Sequence, residues 1–529
     1  MEKNTTARKI TSENVNAIVR RGYLGIGEER ESFVSGGNIT LFDFVLEDSL
    51  FIESVPTQAI TSLVFKNCIF KNDFSTSKHG NIGNYKFINC RFEGNVTLGN
   101  LMRDVSFESS CIFMKDVLIS SANAQVHLTI TNSLLIQRLK LSNNFFSIIL
   151  DKINEDYTQD KITGELQLLG FNTHYFSASH VSLHSIHIKN SSFHHEVSFS
   201  NIETKELSFN DFKIGLLVEI KNSEIGRLIL DNTKVSDHKY FSIKNKCQIE
   251  NASIPFHQLH NLKIENSTFG VLKFWGTNLK DSIFNVENVS FRELYFDNIT
   301  NLGKILLKNI TADRSSIIRI ISSDLGKSDF ILCNFSKGTL EFINSKLTEV
   351  FLAETDFPKR VLTNEKDNPG QAQLAFGQLQ TAFQKQGDTI RTLEYHSREI
   401  EAHFRAIYLR PKEFFNSLNL LLNMISNNFG RWWWLGIIFT FAIGLIFFFF
   451  ILEYSFEYPR ISLDNRLLVS YLKFMNPIRS FDTEGIFKIE NKNFLNLKSG
   501  AYVLDFIGKI LIAYGYYQTI QAFRRFGRK

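Results

Sequence analysis

Two apolar residues five apart, with an asparagine and then a small residue between them, recur through the first 360 positions. The pattern reads Phe65-Lys-Asn-Cys-Ile-Phe70 and Phe87-Ile-Asn-Cys-Arg-Phe92, then Ile188-Lys-Asn-Ser-Ser-Phe193 and Ile220-Lys-Asn-Ser-Glu-Ile225. It returns as Ile264-Glu-Asn-Ser-Thr-Phe269, Val286-Glu-Asn-Val-Ser-Phe291 and Phe342-Ile-Asn-Ser-Lys-Leu347. Asn201, Asn222, Asn245, Asn266, Asn288 and Asn309 follow one another at intervals of 21, 23, 21, 22 and 21. A fixed period of this size is the signature of stacked coils. Between the repeats lie short alternating pieces such as Glu206-Leu-Ser-Phe209, bounded by Asn, Ser and Asp, which read as strands. The leucine-rich frame is absent and helical repeats need longer periods. The expectation is a mainly β chain: a right-handed parallel β-helix over 37–357, about fifteen coils stacked at roughly 4.8 Å. Phenylalanines would fill its core, and stacked asparagines would exchange side-chain hydrogen bonds at the corners.

Residues 1–36, with a helix-like piece near Asn14 to Arg20, are expected to cap the first coil. Residues 144–165 break the pattern and predict a loop. The five-residue spacing with a small residue two before Phe or Leu resembles degenerate pentapeptide repeats. This chain keeps one or two units per coil and displaces the Asn by one.

After Pro358 the period changes to that of helices. Ala375, Leu379, Ala382 and Phe383 share one face, as do Leu393, Ile400, Phe404 and Ile407, which predicts a helical hairpin over 371–410 able to cap the solenoid. Phe415, Leu418, Leu422 and Ile425 suggest an interfacial helix within 412–430. Trp432 to Leu452 is 21 residues without a charge, long enough at about 1.5 Å per residue to cross a bilayer. It opens with Trp432, Trp433 and Trp434, where an aromatic belt belongs. Gly436, Thr440 and Gly444 repeat every four residues, a spacing that lets helices approach closely in lipid. A second span is predicted over about 501–522. There Ala501, Asp505, Gly508, Ile512, Gly515, Thr519 and Ala522 form a mostly small or polar stripe, and Asp505 and Lys509 are four apart. Asp505 and Lys509 could simply lie at the membrane edge and snorkel; otherwise the stripe predicts a seam between copies, hence a homo-oligomer through the spans, or the lining of an aqueous path.

This last quarter resembles a two-span module recurrent in bacterial membrane proteins, often joined to pentapeptide repeats. The likeness rests on the hairpin, on Asn427-Asn-Phe-Gly-Arg431, on Asn476-Pro477, and on Tyr517-Gln-Thr-Ile-Gln-Ala-Phe-Arg-Arg525. It implies an inner-membrane location and an architecture rather than an activity. Arg410, Lys412 and Arg431 before the first span, and Arg524, Arg525, Arg528 and Lys529 after the second, favour both ends on the cytoplasmic side. The absence of an apolar stretch behind MEKNTTARKI fits the same orientation.

Composition adds few candidates. The 51 phenylalanines against 7 prolines suit a stacked core, and a net charge of +5 with dispersed basic residues argues against nucleic acid. Five cysteines form no CxxC pair, so packing explains Cys68 and Cys90 better than metal or redox chemistry. His184 and His187 are expected to point outward, where His194 and His195 could join them around a metal, although no carboxylate or cysteine spacing supports it. His396, Glu399 and His403 share a helix face that reads as solvated. No catalytic or cofactor signature and no ladder of carboxylates is visible, so no enzyme is expected. The sequence supports a membrane-anchored scaffold offering a rod to a protein partner. Its rival is an oligomeric, ligand- or partner-gated pore, with stress or antiphage defence as the setting.

Overall fold

The computed structural model describes residues 8–21, 32–35, 38–52, 61–76, 84–101, 103–121, 125–154, 164–232, 234–235, 240–363, 366–408, 410–455, 465–479 and 499–526. The chain divides into two compact units, Met1–Arg360 and Val361–Lys529.

The first unit is a parallel β-solenoid of about 13 turns, close to the fifteen that the spacing predicts. In one column Ile39, Leu63, Tyr85 and Val105 pair in parallel register, and Val218, Phe241, Leu262, Phe284 and Ile305 continue it further along. The repeat motif forms the corner of each turn. Asn67, Asn89, Asn190, Asn222, Asn245, Asn266, Asn288, Asn309 and Asn344 all have φ between 45° and 61°. Left-handed backbone costs an ordinary L-residue about 1–2 kcal/mol, and asparagine tolerates it because its short side chain bonds locally. Here that side chain bonds to its counterpart on the next turn. Asn89 Nδ2 donates to Asn67 Oδ1 (2.9 Å), Asn288 to Asn266 (3.0 Å) and Asn309 to Asn288 (2.6 Å).

The residue after the asparagine turns inward and is buried at Cys68, Cys90, Ser191, Ser223, Ser267 and Ser345; at Asn245 a second left-handed residue, Lys246, intervenes before the buried Cys247. Where it is Cys or Ser it also donates to backbone; after Asn288 and Asn309 the same inward place is filled by Val289 and Ile310, equally buried. Ser345 Oγ lies 2.7 Å from Ile343 O and 3.0 Å from Ile320 O of the preceding turn, and Cys90 Sγ lies 3.3 Å from Phe65 O. The apolar ends of the motif stack in two columns. Phe65, Phe87 and Phe107 lie 5.2 and 4.8 Å apart with nearly parallel rings. Phe70, Phe92 and Phe113 repeat this at 4.8 and 5.2 Å. The columns meet edge to face, as in Phe87 with Phe92 at 71°, the geometry the ring quadrupole favours.

At the N-terminal end, helix α1 (Ser12–Arg21) buries Val15 and Val19, and Asn16 Nδ2 donates to Phe51 O at 2.9 Å. Arg8–Ile10 adds a parallel strand beside Phe44–Leu46. The break predicted over 144–165 is much shorter. Arg138–Ile153 is a continuous strand segment in register with Glu165–Lys189, because Phe145, Ile148, Leu150 and Ile153 keep the inward places. Asp151, assigned to that loop, accepts from Ser179 Oγ at 2.5 Å. Positions 155–163 lie outside the described residues.

The second unit is helical. Helices α2 (Pro369–Lys385) and α3 (Thr389–Ile407) form the hairpin, with Asn368 and Asp388 accepting from the first free amides of each. Helix α4 (Phe414–Asn427) ends on a left-handed Asn428. Helices α5 (Trp433–Ser455) and α7 (Ser499–Phe526) pack along each other, and the short α6 (Asn465–Phe474) packs against α5. Among the described residues one helix, Trp433–Glu453, is long and apolar enough to cross a membrane, with mean hydropathy 2.8. Helix α7 has the length of a second span, but the small and polar stripe with Asp505 and Lys509 makes it less apolar than α5.

If left-handed backbone explains the corner asparagines, Asn288→Val should lower stability by about 2–3 kcal/mol, combining strain with the lost ladder bonds. Asn288→Gly should cost less than about 1 kcal/mol. Urea unfolding followed in the far ultraviolet measures both; equal losses would show that φ is not the reason.

Candidate functional site

The two small-residue stripes meet each other inside one chain. A Cβ placed on Gly436 would come within 2.6 Å of Thr519 Oγ1, and one on Gly515 would fall on Thr440 Oγ1. Gly508 faces Phe447, where an added Cβ would lie 3.2 Å from the Phe447 Cβ. Each threonine satisfies its own hydroxyl four residues back, Thr440 Oγ1 on Gly436 O (2.7 Å) and Thr519 Oγ1 on Gly515 O (2.9 Å). The polar groups can therefore be buried in an apolar seam. Gly444 differs: its partner is not α7 but Met475, whose sulfur occupies the space a side chain would need. The stripes read as an oligomer seam are thus used between α5 and α7 of the same molecule.

Helix α6 and the turn after it pack against the two long helices. Tyr471 Oη donates to Phe441 O at 2.6 Å, and Phe474 packs with Phe448 at 5.5 Å in a cluster with Ile451, Ala501 and Ile512. Arg479 then reaches Asp505. The Asp505 carboxylate is completely buried, with the Arg479 guanidinium on one oxygen and Lys509 Nζ 3.0 Å from the other. Arg479 also donates to Phe474 O and lies over the Phe474 ring, 3.9 Å from its centroid. The predicted Asp505–Lys509 pair is therefore part of a triad. A buried carboxylate against two cations holds the Asn476–Arg479 segment on α7. Arg479 is not among the residues that sequence reasoning singled out; its nearness to Asn476-Pro477 was the available signal.

A second knot joins α4 to α7. Asn427 Nδ2 donates to Gln518 Oε1 at 2.7 Å, while Asn427 Oδ1 accepts from Gly430 N at 2.7 Å. Asn428, Phe429 and Gly430 are successive left-handed residues. Trp432 stacks on Trp434 at 5.7 Å, Trp433 packs on Phe523 at 4.5 Å, and all three remain about half exposed. In the hairpin, His396 and His403 bond Gln380 and Gln373 of α2 (3.3 and 3.2 Å), and Glu399 lies against Gly377. The face expected to be solvated is a polar contact between helices.

On the solenoid a groove of about 1030 Å³ runs along an inner elbow of successive turns. Gly226 and Gly270 mark the elbow, where a Cβ would meet Lys205 O and Glu250 O of the turn before at 2.6 and 2.5 Å. Glu165, Glu206, Glu224 and Glu250 line it together with Lys205, Arg227, His184 and His187. Coiling brings together carboxylates whose alignment was not visible in the sequence. Glu206 lies 3.8 Å from His187 and 4.0 Å from Arg227.

The histidines separate. His184 and His187 belong to this groove, whereas His194 and His195 stack with His174 at 5.0 and 5.5 Å beside Tyr175 and Phe146. The two sets have different neighbours, so the four histidines do not come together around one point. Among the described residues no cluster of His, Cys, Asp or Glu could hold a metal ion. The cysteines are buried and free, and burial pushes the Cys111 and Cys333 thiols up to about 12 and about 11. They are packing residues rather than nucleophiles. No protein-family model, curated protein or solved structure matches the chain.

Removing one member of a buried ion group strands the others, at about 3–5 kcal/mol. Asp505→Asn and Arg479→Gln should each destabilise the helical unit by about that amount. The double variant should cost clearly less than the two together, as read from thermal unfolding in detergent. Strict additivity would mean the pair does not act as a unit. Gly515→Leu should separate α5 from α7, seen as loss of a disulfide crosslink between cysteines introduced at Phe447 and Gly508, whose Cβ positions lie about 3.2 Å apart.

Proposed function

We propose that this protein is a membrane-anchored interaction protein. In this reading α5 and α7 cross the bilayer together, both ends of the chain lie on the cytoplasmic side, and the solenoid is offered there to a protein partner. The observation that carries it is the apolar sheath left on the helix pair after the two have packed. Ile437, Ile438, Phe441, Leu445, Ile446 and Phe450 of α5 are exposed, as are Val503, Phe506, Ile507, Ile510, Ile520 and Phe523 of α7. Exposed apolar surface on this scale needs lipid or another apolar surface to cover it. Helix α7 gains from α5 what its composition lacks: its small and polar stripe faces protein, and its large side chains face outward. At about 1.5 Å per residue its 28 residues are ample for a crossing.

For the solenoid, a repeating surface of paired charges and a long polar groove favour an extended partner over a small substrate. The pore reading draws less support, because Asp505 is buried and paired rather than lining a path.

Flotation with neutral phosphatidylcholine vesicles tests the anchor. The protein should rise with the vesicles and stay with them through alkaline carbonate. Phe441→Lys with Phe506→Lys should abolish this, since a lysine at the centre of a span costs about 2.5–3.5 kcal/mol. Release of the unaltered protein by salt or carbonate would sink the two-span reading. Reversing the groove charges with Glu206→Lys and Arg227→Glu should abolish crosslinking to the solenoid's partner while leaving flotation intact.

A further inference from the structure

Helix α3 and the loop before α5 hold two partly buried arginines, Arg398 and Arg431, whose side chains are 11% and 27% exposed. Ser397 Oγ of α3 lies 3.3 Å from Asn428 O, which seats α3 against the Asn427–Arg431 loop. On the same stretch of α3, Arg398 bonds Glu394 through Nη2 and lies over the Tyr395 ring at 4.8 Å. Its other terminal nitrogen, Nη1, is buried and has no hydrogen-bond partner among the described residues. Arg431, the last residue of the loop, approaches Glu401 only at 3.5 Å, and its Nε is likewise buried without a partner. Glu401 is engaged more closely by Arg405, at 2.7 Å. Three guanidiniums thus share two carboxylates, Glu394 and Glu401, leaving one positive charge in excess. Burial draws the Arg431 pKa below its usual range; Glu401 opposes this and Arg398 adds to it.

A buried N–H donor on a cation is costly until an acceptor reaches it. Two such donors on neighbouring guanidiniums ask for one anion with several oxygens, and guanidinium geometry matches phosphate. We propose that Arg398 and Arg431 bind a phosphate group at the entry to α5. The site rests on the membrane reading for its position: Arg431 directly precedes the tryptophans at the start of the span, the depth of lipid headgroups. Its chemistry stands without that reading, so the phosphate can come from an anionic phospholipid or from a free phosphate ester. The left-handed Asn428-Phe429-Gly430 turn then has a purpose, since it brings Arg431 back toward α3.

The test uses the full-length protein. In vesicles, Trp432, Trp433 and Trp434 report lipid contact directly, through quenching by brominated phosphatidylglycerol compared with brominated phosphatidylcholine. In detergent, calorimetry follows binding of glycerol 1-phosphate and inorganic phosphate. Phosphatidylglycerol should quench preferentially, glycerol phosphate should compete, and Arg398→Gln or Arg431→Gln should weaken the preference about tenfold, as loss of one charge-assisted bond implies. Lys412→Gln, which removes an exposed neighbouring charge, should leave it unchanged. Arg398→Lys keeps the charge but loses the fork, so it should weaken binding with helix content preserved by circular dichroism. Phosphate binding in detergent without lipid preference would identify a free phosphate as the ligand. Independence of both readouts from Arg398 and Arg431 would overturn the site. Failure to float with neutral vesicles would sink the membrane reading and leave the calorimetric arm decisive.

Discussion

The solenoid depends on a corner that must be made at nearly the same place in every turn. A parallel strand can pair with the next turn only if the chain bends by the same amount after the same number of residues. The left-handed asparagine supplies that bend, and the inward Cys or Ser after it ties the corner to the carbonyl of the turn before. Along parts of the ladder neighbouring corners are tied together, the amides of Asn89, Asn288 and Asn309 each donating to the asparagine below. Once corners are stacked, the phenylalanines five apart have no choice but to stack too. The abundance of phenylalanine and the scarcity of proline are consequences of this geometry.

In the helical unit the governing interaction is different. Here glycines and threonines allow two long helices to touch, and touching conceals the groups that made α7 look ill-suited to lipid. The Asp505 triad and the Asn427–Gln518 bond are the polar fastenings of the same assembly. Low dielectric strengthens such bonds and makes an unpaired member expensive, so they specify one arrangement rather than merely adding stability. The contacts of Tyr471, Phe474 and Arg479 belong to this arrangement as well.

Both units convert sequence spacing into surface. On the solenoid, residues one period apart become neighbours, which is how Glu206, Arg227 and His187 come to share a groove. In the helical unit, residues nearly a hundred positions apart share one polar bond, as Asn427 does with Gln518. The motifs that carry the likeness to two-span modules, Asn427 to Arg431, Asn476-Pro477 and Tyr517 to Arg525, all lie at or beside these fastenings. Their spacing records which segments must meet.

By itself the sequence determined the solenoid, its period, its corner residue, the paired helices after it and the apolar helix at Trp433. Each of these follows from local repetition or from hydropathy over a single element. It also singled out the right small residues in α5 and α7. What those residues face was decided only by tertiary structure, because a small-residue stripe fits a second copy as well as a second helix of its own chain. The same holds for charges. Arg479 lies 26 residues from Asp505, and no local spacing connects them. The histidines near His184 and His195 seemed one cluster because they are close in sequence, but coiling gives the two sets different neighbours. Local pattern sets the elements and their inward sides; only the folded chain chooses which outward or polar groups become neighbours.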